Sequence, residues 1–424
     1  MARKGGRRIR VGVIGIGRGR TFMYQAPIAG MELVAICDIW KAGLKRVGKD
    51  LRVATYTDYD KFLEHDMDAV VTANYFHEHA PFAIKALQSG RHVMTECSAC
   101  KTLAEGVSLC RAVEKSGKVY MFAENYPYTA ANQEMRRLYK QGEIGQVLYA
   151  EGEYNHPMAL DDKHRISPGL GHWRNNLPVT YYCTHAMAPL MTITDATPVR
   201  VNGFAVPHPP GMKGMRVARQ DVASIILCRM DNDAVFRLIQ GGLPGHSIWY
   251  RLHGTRGLME TTRGPGYWGP GQVRVVHEPW DCRPGEITER TYLPEFPAWA
   301  RAAARAGHGG GDFFTTHHFA EAIRTGRQPY LNVYRGVAMS IIGILAWKSA
   351  LNDGEPFDVP DFRKESERRK HECDNWSPFP GDEGPGQPPV SIRGEYKPSR
   401  KALAHAHKIW REVGYEVKRP KRQV

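Results

Sequence analysis

A tyrosine and a histidine stand three positions apart in the motif Tyr182-Cys-Thr-His185, and their side chains could move protons during an oxidation. An imidazole titrates near neutral pH, so it can take the proton of a hydroxyl group whose carbon is being oxidised. A phenol can act as a second base, and it is helped if nearby cations such as Arg174 lower its pKa. Residues three apart share one helix face, which predicts that both side chains face one site. The alternative is structural, with His185 hydrogen-bonded to backbone and Tyr182 packed in an interface.

An oxidation needs an electron acceptor, and the N-terminal stretch has the pattern of a dinucleotide site. A short apolar strand leads into Gly15-Ile-Gly17-Arg-Gly19, and the next apolar run ends on Asp38. Gly15 allows the tight turn, Gly17 lets backbone N–H groups approach a pyrophosphate, and the following helix would point its positive end at the phosphates. Asp38 would accept hydrogen bonds from ribose hydroxyls, which favours NAD over NADP.

One position departs from this pattern, because Arg20 stands where the third glycine is expected. Lys41 and Arg46 follow Asp38 closely enough to keep NADP open as the less favoured cofactor. A glycine-rich turn without a ligand is the alternative, but the strand, the spacing and the terminal acid together favour a dinucleotide.

Apolar runs alternate with helical patterns from residue 68 to residue 124, which predicts an α/β fold with a doubly wound parallel sheet. Polar side chains just past the carboxyl ends of such strands line the ligand crevice. The glycine turn and these strand ends give the predicted cofactor-binding residues, which are Gly15, Gly17, Arg18, Gly19, Asp38, Asn74, His77, His79, Glu96, Cys97, Glu124 and Asn125.

Two patterns could instead hold a metal ion. His77 and His79 could form a ligand pair, and Cys97 with Cys100 forms a CxxC that could be redox-active or bind zinc. No second CxxC completes a zinc site, and histidines in a loop beside a cofactor commonly form hydrogen bonds. We therefore expect no metal.

The second half of the chain carries the candidate substrate contacts. Short segments at 224–229, 234–240, 247–252 and 257–260 alternate like the strands of a second sheet. The segment His172-Trp-Arg174 offers a stacking face for a sugar and a charged fork for a carboxylate or hydroxyl pair, although a core tryptophan beside a surface arginine is the alternative. Asp312 could hold sugar hydroxyls or cap the next helix. The predicted substrate contacts are His156, His172, Trp173, Arg174 and Asp312.

The order of Gly15-Ile-Gly-Arg-Gly, Cys37-Asp38 and Ala73-Asn-Tyr-Phe-His-Glu-His79 resembles the Gfo/Idh/MocA family of glucose-fructose oxidoreductases and inositol dehydrogenases. The resemblance runs from about residue 11 to residue 362. It implies a Rossmann domain at residues 1–125 and an α+β domain at 126–362, whose large, mostly antiparallel open sheet carries the sugar site and packs against another subunit. Residues 363–424 would form an extension over the surface, and their sequence predicts a final short helix at residues 399–413.

Where the dehydrogenases of that family carry Glu-Lys-Pro, this chain has Glu96-Cys97-Ser98, and Tyr181 replaces the aspartate four residues before the catalytic histidine. These departures, together with Glu124-Asn125 and the segments 151–156, 182–189, 309–313 and 359–362, are similar to the NAD-dependent α-N-acetylgalactosaminidase branch of glycoside hydrolases. That branch implies transient oxidation at C3, with His185 taking the hydroxyl proton and Tyr182 the C2 proton. The C1 substituent then leaves, water adds, and NAD stays bound throughout.

Composition narrows the remaining classes of function. The formal charge of +14 includes nine basic residues near the two ends (Arg3, Lys4, Arg7, Arg8, Arg10, Lys418, Arg419, Lys421 and Arg422), and no nucleic-acid motif accompanies them. The longest uncharged run, residues 336–347, is too short for a membrane span. Eight scattered cysteines favour a reduced, cytoplasmic protein.

Two other functions stay open beside glycoside cleavage. One is an ordinary NAD(P)-dependent sugar or polyol dehydrogenase, and the other is a non-catalytic dinucleotide-binding regulator whose basic ends touch a polyanion. For either enzyme, we expect a small carbohydrate as substrate and a homodimer or homotetramer formed through the C-terminal sheet.

Overall fold

The structure is a computed structural model that describes residues 7–209, 214–266, 269–379, 381–382 and 386–415. Among the nine basic residues near the chain ends, Arg7, Arg8 and Arg10 lie inside these ranges and the other six lie outside them. The described chain forms two sheets, one of six strands and one of nine.

The first sheet is the expected doubly wound parallel sheet, so this part of the predicted fold is confirmed. Its strand order is β3-β2-β1-β4-β5-β6, and all of its pairings are parallel. The order reverses between β1 and β4, which is the place where open α/β sheets bind ligands. The strands are β1 (Ile9–Ile14), β2 (Met31–Cys37), β3 (Ala54–Tyr56), β4 (Ala69–Thr72), β5 (His92–Thr95) and β6 (Tyr120–Phe122).

Five helices connect these strands. They are α1 (Arg20–Ile28), α2 (Lys41–Leu51), α3 (Tyr59–Leu63), α4 (His79–Gln88) and α5 (Leu103–Ser116). Helix α5 has these bounds because Thr102 caps its N-terminus by accepting a hydrogen bond from the Glu105 N–H, and Gly117 ends it in the left-handed conformation.

The second sheet is mostly antiparallel, as expected, with one parallel pairing between β7 and β10. Its order is β14-β13-β12-β11-β7-β10-β9-β8-β15. The strands are β7 (Val147–Asn155), β8 (Pro198–Val206), β9 (Ala223–Met230), β10 (Val235–Gly241), β11 (Ser247–Gly254), β12 (Leu258–Thr261), β13 (Val273–Val276), β14 (Glu289–Tyr292) and β15 (Phe357–Asp358).

Helices cover one face of the second sheet. The helices that follow β6 in the described chain are α6 (Ala130–Lys140), α7 (Leu160–Ile166), α8 (Thr184–Thr194), α9 (Ala300–Ala303), α10 (Gly311–Thr325), α11 (Val333–Ala350), α12 (Glu365–His371) and α13 (Arg400–Glu412). Of these, α8 and α11 lie directly on the strands of the sheet. A side chain at Gly152 would clash with the Ala186 carbonyl, and one at Gly203 would clash with the Ala346 carbonyl. The two glycines therefore let α8 and α11 pack directly on the strands.

The other face of the second sheet is open in the single chain. It exposes the apolar side chains of Phe204, Ile225, Leu227 and Val235. Beside them, Glu151 on β7 forms ion pairs with arginines on the two neighbouring strands, Arg237 and Arg251.

The C-terminal segment touches both sheet-containing parts. Phe379 is fully buried and stacks on His77, with ring centroids 5.1 Å apart. Helix α13 lies where a final helix was expected, and it packs Ala402, Ala406 and Trp410 against Val217. Helix α12 is an addition to the sequence prediction, which placed no helix between residues 363 and 398.

Within the described ranges, no helix is long and apolar enough to cross a membrane. The uncharged run at residues 336–347 lies inside α11, which is largely buried in the core.

Candidate active site

A histidine and a buried glutamate meet where the two sheets come together. Glu124 follows β6, and His185 lies in the first turn of α8. The His185 Nδ1 atom is 2.7 Å from Glu124 Oε1, and the glutamate side chain is fully buried. An ionised carboxylate only accepts hydrogen bonds, so Nδ1 carries the proton and Nε2 is the basic nitrogen. The pair therefore sets one imidazole nitrogen to receive a proton.

Neighbouring groups keep Glu124 ionised despite its burial. Burial alone would raise its pKa, but the charge and hydrogen bond of His185 and hydrogen bonds from Cys97 and Thr184 lower it. The Cys97 thiol donates to Glu124 Oε2 at 3.0 Å. Burial and the adjacent carboxylates raise the pKa of Cys97, so it acts as a protonated donor.

Three tyrosines surround the imidazole of His185. The ring centroids of Tyr126, Tyr154 and Tyr182 lie 4.5, 4.6 and 4.9 Å from its centroid. Tyr250, on β11, donates its hydroxyl to the His185 carbonyl at 2.8 Å and fixes the backbone there. The histidine is thus held from several sides.

The expectation that Tyr182 and His185 share one helix face is wrong in its detail. Helix α8 begins at Thr184, and Tyr182 lies in the turn before it. The two rings still meet edge to face, because the turn directs Tyr182 toward the first turn of the helix.

The expectation of a lowered pKa for Tyr182 is also wrong for the chain alone. Burial raises the pKa of its phenol, and the nearby Tyr154 adds to this effect. Arg174 lowers it, as expected, but by less than burial raises it. Tyr182 is therefore a protonated phenol until a further positive charge comes near it.

A cavity of about 170 Å³ adjoins this cluster. Tyr154, His156, Trp173, Arg174 and Tyr182 line one part of it, so the structure brings together four of the sequence-predicted catalytic and substrate-contact residues. Other lining side chains, which the sequence reasoning missed, include Lys163, Gln220, Asp221 and Gln240. They come from a helix and from strand ends that carried no recognisable motif.

Trp173 is buried, which favours the core alternative over an open stacking face. Its ring stacks on Phe76 with centroids 5.2 Å apart, and the Arg174 guanidinium lies 4.2 Å from its ring centroid. His172 is also buried, and its Nδ1 atom accepts the Arg174 N–H at 3.2 Å. Burial, followed by the charge of Arg174, lowers the pKa of His172 to about 3, so this residue orders the loop as a neutral imidazole.

A second charged cluster joins the glycine turn to α10. Arg18 contacts Glu96 Oε1 at 2.6 Å and Asp312 Oδ1 at 2.7 Å. Asn125 and His308 also donate to Asp312, at 2.9 and 2.7 Å. Burial works against the charge of Arg18, but Glu96 and Asp312 outweigh it and raise the arginine's pKa.

Asp312 therefore neither caps α10 nor offers free oxygens to a sugar. The N-cap position is Gly310, and Asp312 lies inside the helix. Burial would raise its pKa, but His308 and Arg18 lower it, so the carboxylate stays charged and committed to these partners. Asp312 instead links α10 to the glycine turn through its ion pair with Arg18.

The crevice at the end of β1 fits a dinucleotide. Gly15 has φ of +91°, and a side chain there would meet the Ala73 carbonyl carbon and oxygen. At Gly17 nothing lies within 4 Å of the place where a Cβ would stand, so a phosphate has room to approach the backbone. Arg20, at the position of the missing glycine, has a buried Nε atom without a hydrogen-bond partner. An anion at the start of α1 would supply that partner.

Five further predicted cofactor residues differ in whether their polar atoms already have hydrogen-bond partners. Asp38 accepts from the Ile16 and Trp40 N–H groups, each at 2.8 Å. Asn74 Oδ1, His77 Nδ1 and Asn125 Oδ1 are buried atoms without hydrogen-bond partners, as expected for groups that await a ligand. His79 instead contacts the Ser98 and Asn74 carbonyls, so it positions the loop rather than facing the crevice.

Potential metal ligands converge at two places in the described residues. One group is Cys97, Glu124 and His185, and the other is Glu143, His277 and Glu286. The first is the hydrogen-bonded cluster described above, in which the thiol keeps its proton. In the second, Arg290 and Arg256 pair with the carboxylates. His77, His79 and Cys100 belong to neither group.

Two family models match the chain. Residues 9–124 match the Gfo/Idh/MocA oxidoreductase family with its NAD-binding Rossmann fold. Residues 220–368 match the C-terminal domain of glycosyl hydrolase 109. The cofactor of the N-terminal crevice is therefore NAD.

Curated relatives agree with both matches. A glycosyl hydrolase family 109 protein of Shewanella sp. strain ANA-3 is 26% identical over 84% of this chain and 85% of its own length. An alpha-N-acetylgalactosaminidase of Shewanella oneidensis is 25% identical over the same shares.

Solved structures confirm the fold. Levoglucosan dehydrogenase in complex with NADH and L-sorbose superimposes with a TM-score of 0.72 at 21% identity, over 84% of this chain and all of that one. The aldose-aldose oxidoreductase of Caulobacter crescentus gives 0.66 at 18% identity, over 83% of this chain and all of that one.

Proposed function

We propose that the chain cleaves a glycosidic bond through transient oxidation of the sugar, because residues 9–124 match the Gfo/Idh/MocA family model and residues 220–368 match the C-terminal domain of glycosyl hydrolase 109. The observation that carries the proposal is the His185–Glu124 pair, whose imidazole contacts Tyr154 and Tyr182 of the cavity lining. A relative that acts as an alpha-N-acetylgalactosaminidase supports the same chemistry.

Bound NAD would supply reversible hydride exchange with a substrate carbon. In the first step His185 Nε2 takes the proton of the C3 hydroxyl while that carbon is oxidised to a ketone. Glu124 stabilises the imidazolium that results, as the carboxylate partner of a catalytic histidine does elsewhere.

The ketone makes the C2 proton acidic. Tyr182 takes this proton after its own phenolic proton has passed to solvent, a loss that the charge of Arg174 favours. The electron pair of the C2–H bond forms a C1–C2 double bond, and the C1–O bond breaks with the leaving group. Water then adds its hydroxyl to C1 and gives its remaining proton to the departed leaving group, while Tyr182 returns a proton to C2. Reduction at C3, with the proton returned by His185, regenerates the hydroxyl, so the net reaction is hydrolysis.

The direct test combines two readouts on the purified protein. Nitrophenyl glycosides should release nitrophenol while absorbance at 340 nm shows no steady gain of NADH, and the protein should carry NAD as purified. An ordinary dehydrogenase would accumulate NADH with a free sugar and release no nitrophenol. A non-catalytic regulator would be inert in both assays and would bind a polyanion in a salt-sensitive manner.

The two cavity tyrosines can be separated by substitution. Tyr182→Phe should abolish exchange of the C2 proton while leaving C3 oxidation, seen as a single burst of NADH, in place. Tyr154→Phe is the matched control, because Tyr154 also lines the cavity and contacts His185. Loss of exchange in the Tyr154 variant alone would transfer the role of base to that residue.

We also propose that two copies pair through the open face of the second sheet. Support comes from the exposed apolar side chains there, which a second copy would remove from water. Replacing Leu227 and Phe204 with lysine should lower the native mass to that of a monomer. A reducing, cytoplasmic compartment is proposed as well, because all eight cysteines are free thiols.

A further inference from the structure

The cavity beside Tyr182 carries more positive charge than its own acidic residue can balance. Its charged lining residues are Lys163, Arg174 and Asp221. Both oxygens of Asp221 are committed, since Oδ1 accepts the Ser391 hydroxyl at 2.6 Å and Oδ2 accepts the Ile392 N–H at 2.9 Å. The two cations are therefore left without a carboxylate from the lining.

In the described ranges, neither Lys163 nor Arg174 forms an ion pair with an acidic side chain. The neighbouring Arg165, by contrast, pairs with Asp162 at 3.0 Å. Desolvation, followed by the positive charge of Arg216, lowers the pKa of Lys163, so one neighbouring cation adds to the cost of its ammonium form. A bound anion would relieve that repulsion.

Arg174 is held in place before any ligand binds. Its guanidinium lies over the Trp173 ring, which orders the side chain. Its backbone N–H donates to His172, and its backbone carbonyl accepts a hydrogen bond from the Gln220 side chain at 2.8 Å. A cation fixed in this way loses little conformational freedom when it binds an anion, and a planar guanidinium suits two oxygens at once.

The same cavity offers acceptors for hydroxyl groups. Gln220 Oε1 and Gln240 Oε1 are buried atoms without a hydrogen-bond partner. Hydroxyl groups of a sugar would supply the missing donors, and the two cations would bind a negative group on the same molecule.

We infer, on the basis of the proposed function, that the substrate is an acidic glycoside whose carboxylate, sulfate or phosphate binds Lys163 and Arg174. The sugar ring then lies toward Tyr182 and His185, with its hydroxyls on the two glutamines. The negative group belongs either to the oxidised sugar or to the leaving group, and both present the same oxygens to the cations.

Binding and cleavage test this inference separately. The NAD-loaded protein is titrated calorimetrically with hexuronic acids, hexose 6-phosphates and hexose 6-sulfates and with the matching neutral hexoses. Cleavage is measured with three sets of nitrophenyl glycosides, which carry the negative group on the sugar, on the aromatic ring or on neither. We expect at least a tenfold preference for one negative set, and Lys163→Met and Arg174→Gln should each reduce it at least threefold. Lys115→Met, at the far end of α5, should keep the preference.

The outcomes distinguish this inference from the proposed function. Cleavage of neutral and acidic glycosides at equal rates, or a preference that survives both substitutions, would overturn the inference and leave hydrolysis intact. Failure of every negatively charged probe to bind would also overturn it. Preferential binding of acidic sugars without cleavage of any glycoside would support the inference and refute hydrolysis. The set that is preferred shows which part of the substrate carries the charge.

Discussion

Among single residues, Glu124 alone determines which nitrogen of His185 is basic. One carboxylate fixes the tautomer, and that carboxylate is itself fixed by a thiol and by backbone around it. Glu124 does not touch the reacting atoms in the proposed mechanism. It is a positioning residue, and its negative charge stabilises the imidazolium of His185.

Glu124→Gln should lower kcat by about 10² to 10⁴-fold and change KM little, because the amide keeps the hydrogen bond but loses the charge. The acidic limb of the pH profile of kcat should move to lower pH, since the protonated imidazole loses its counter-ion. Steady-state kinetics between pH 5 and pH 9 measure both effects. A variant with an unchanged profile and an unchanged kcat would show that the carboxylate has only a structural role.

The residue types of the site could be predicted, but several of their partners could not. His185, Tyr182 and Arg174 carried recognisable motifs, whereas Glu124 and Asp312 were assigned to NAD and to the sugar. Their true partners, His185 and Arg18, are far away in sequence, and only the folded chain brings them together. The raised pKa of Tyr182 likewise follows from burial, which sequence does not report.

At the scale of elements, the periodic patterns were sufficient for most strands and helices. The strand ends gave the crevice, because parallel strands end at one edge of the sheet. The error at Tyr182 arose from assuming that one helix covers residues 182–185, although α8 begins two residues later. Helix α12 was missed because its charged sequence, Glu365–His371, lacks an apolar face.

A half-buried carboxyl group near the start of α5 makes stability depend on pH. Burial raises the pKa of Glu105 to about 7, and the Lys101 N–H opposes this effect. The unfolded chain ionises this group near pH 4.5, so its contribution to stability falls as pH rises from about 4.5 to 7 and then stays constant.

Glu105→Gln should therefore raise the melting temperature at pH 8 and leave it nearly unchanged at pH 4.5. The expected gain at pH 8 is about 1 to 3 kcal/mol of unfolding free energy. Glu64→Gln, at an exposed position just after α3, is the matched control and should have little effect at either pH. A gain of equal size at both values would contradict the assignment.

Helix α13 supports the helix that carries Lys163. Trp410 is almost fully buried beside α7, and Asp161 of α7 bonds to His405 of α13 at 2.7 Å. Trp410→Ala should release α13, at a local cost of about 3 to 5 kcal/mol, and speed hydrogen exchange in residues 160–166. Lys408→Ala, exposed on the same helix, should leave exchange unchanged. Faster exchange in β1 as well would mean global destabilisation instead.

At the scale of the whole molecule, the glycine turn and α10 are joined by the cluster around Arg18. This side chain links Glu96, at the end of β5, to Asp312, so one residue contacts the cofactor crevice and the start of α10. The resemblance predicted both parts of the fold, but it assigned no role to their connection.

Arg18→Met should destabilise the protein by about 3 to 5 kcal/mol, because it leaves the buried carboxylate of Asp312 without its main cation. Arg137→Met removes an exposed ion pair with Glu134 on α6 and should cost less than about 1 kcal/mol. Chemical denaturation of both variants measures the difference. Equal losses would show that the Arg18 cluster does not hold the two parts together.

In the proposed hydrolysis, the glycosidic bond breaks only after a proton leaves C2. A cleavable nitrophenyl glycoside should be hydrolysed in D₂O and the released sugar analysed by NMR at C2. We expect deuterium at C2 of the product, because Tyr182 exchanges its proton with solvent before returning it. Complete retention of the original hydrogen at C2 during full hydrolysis would contradict it.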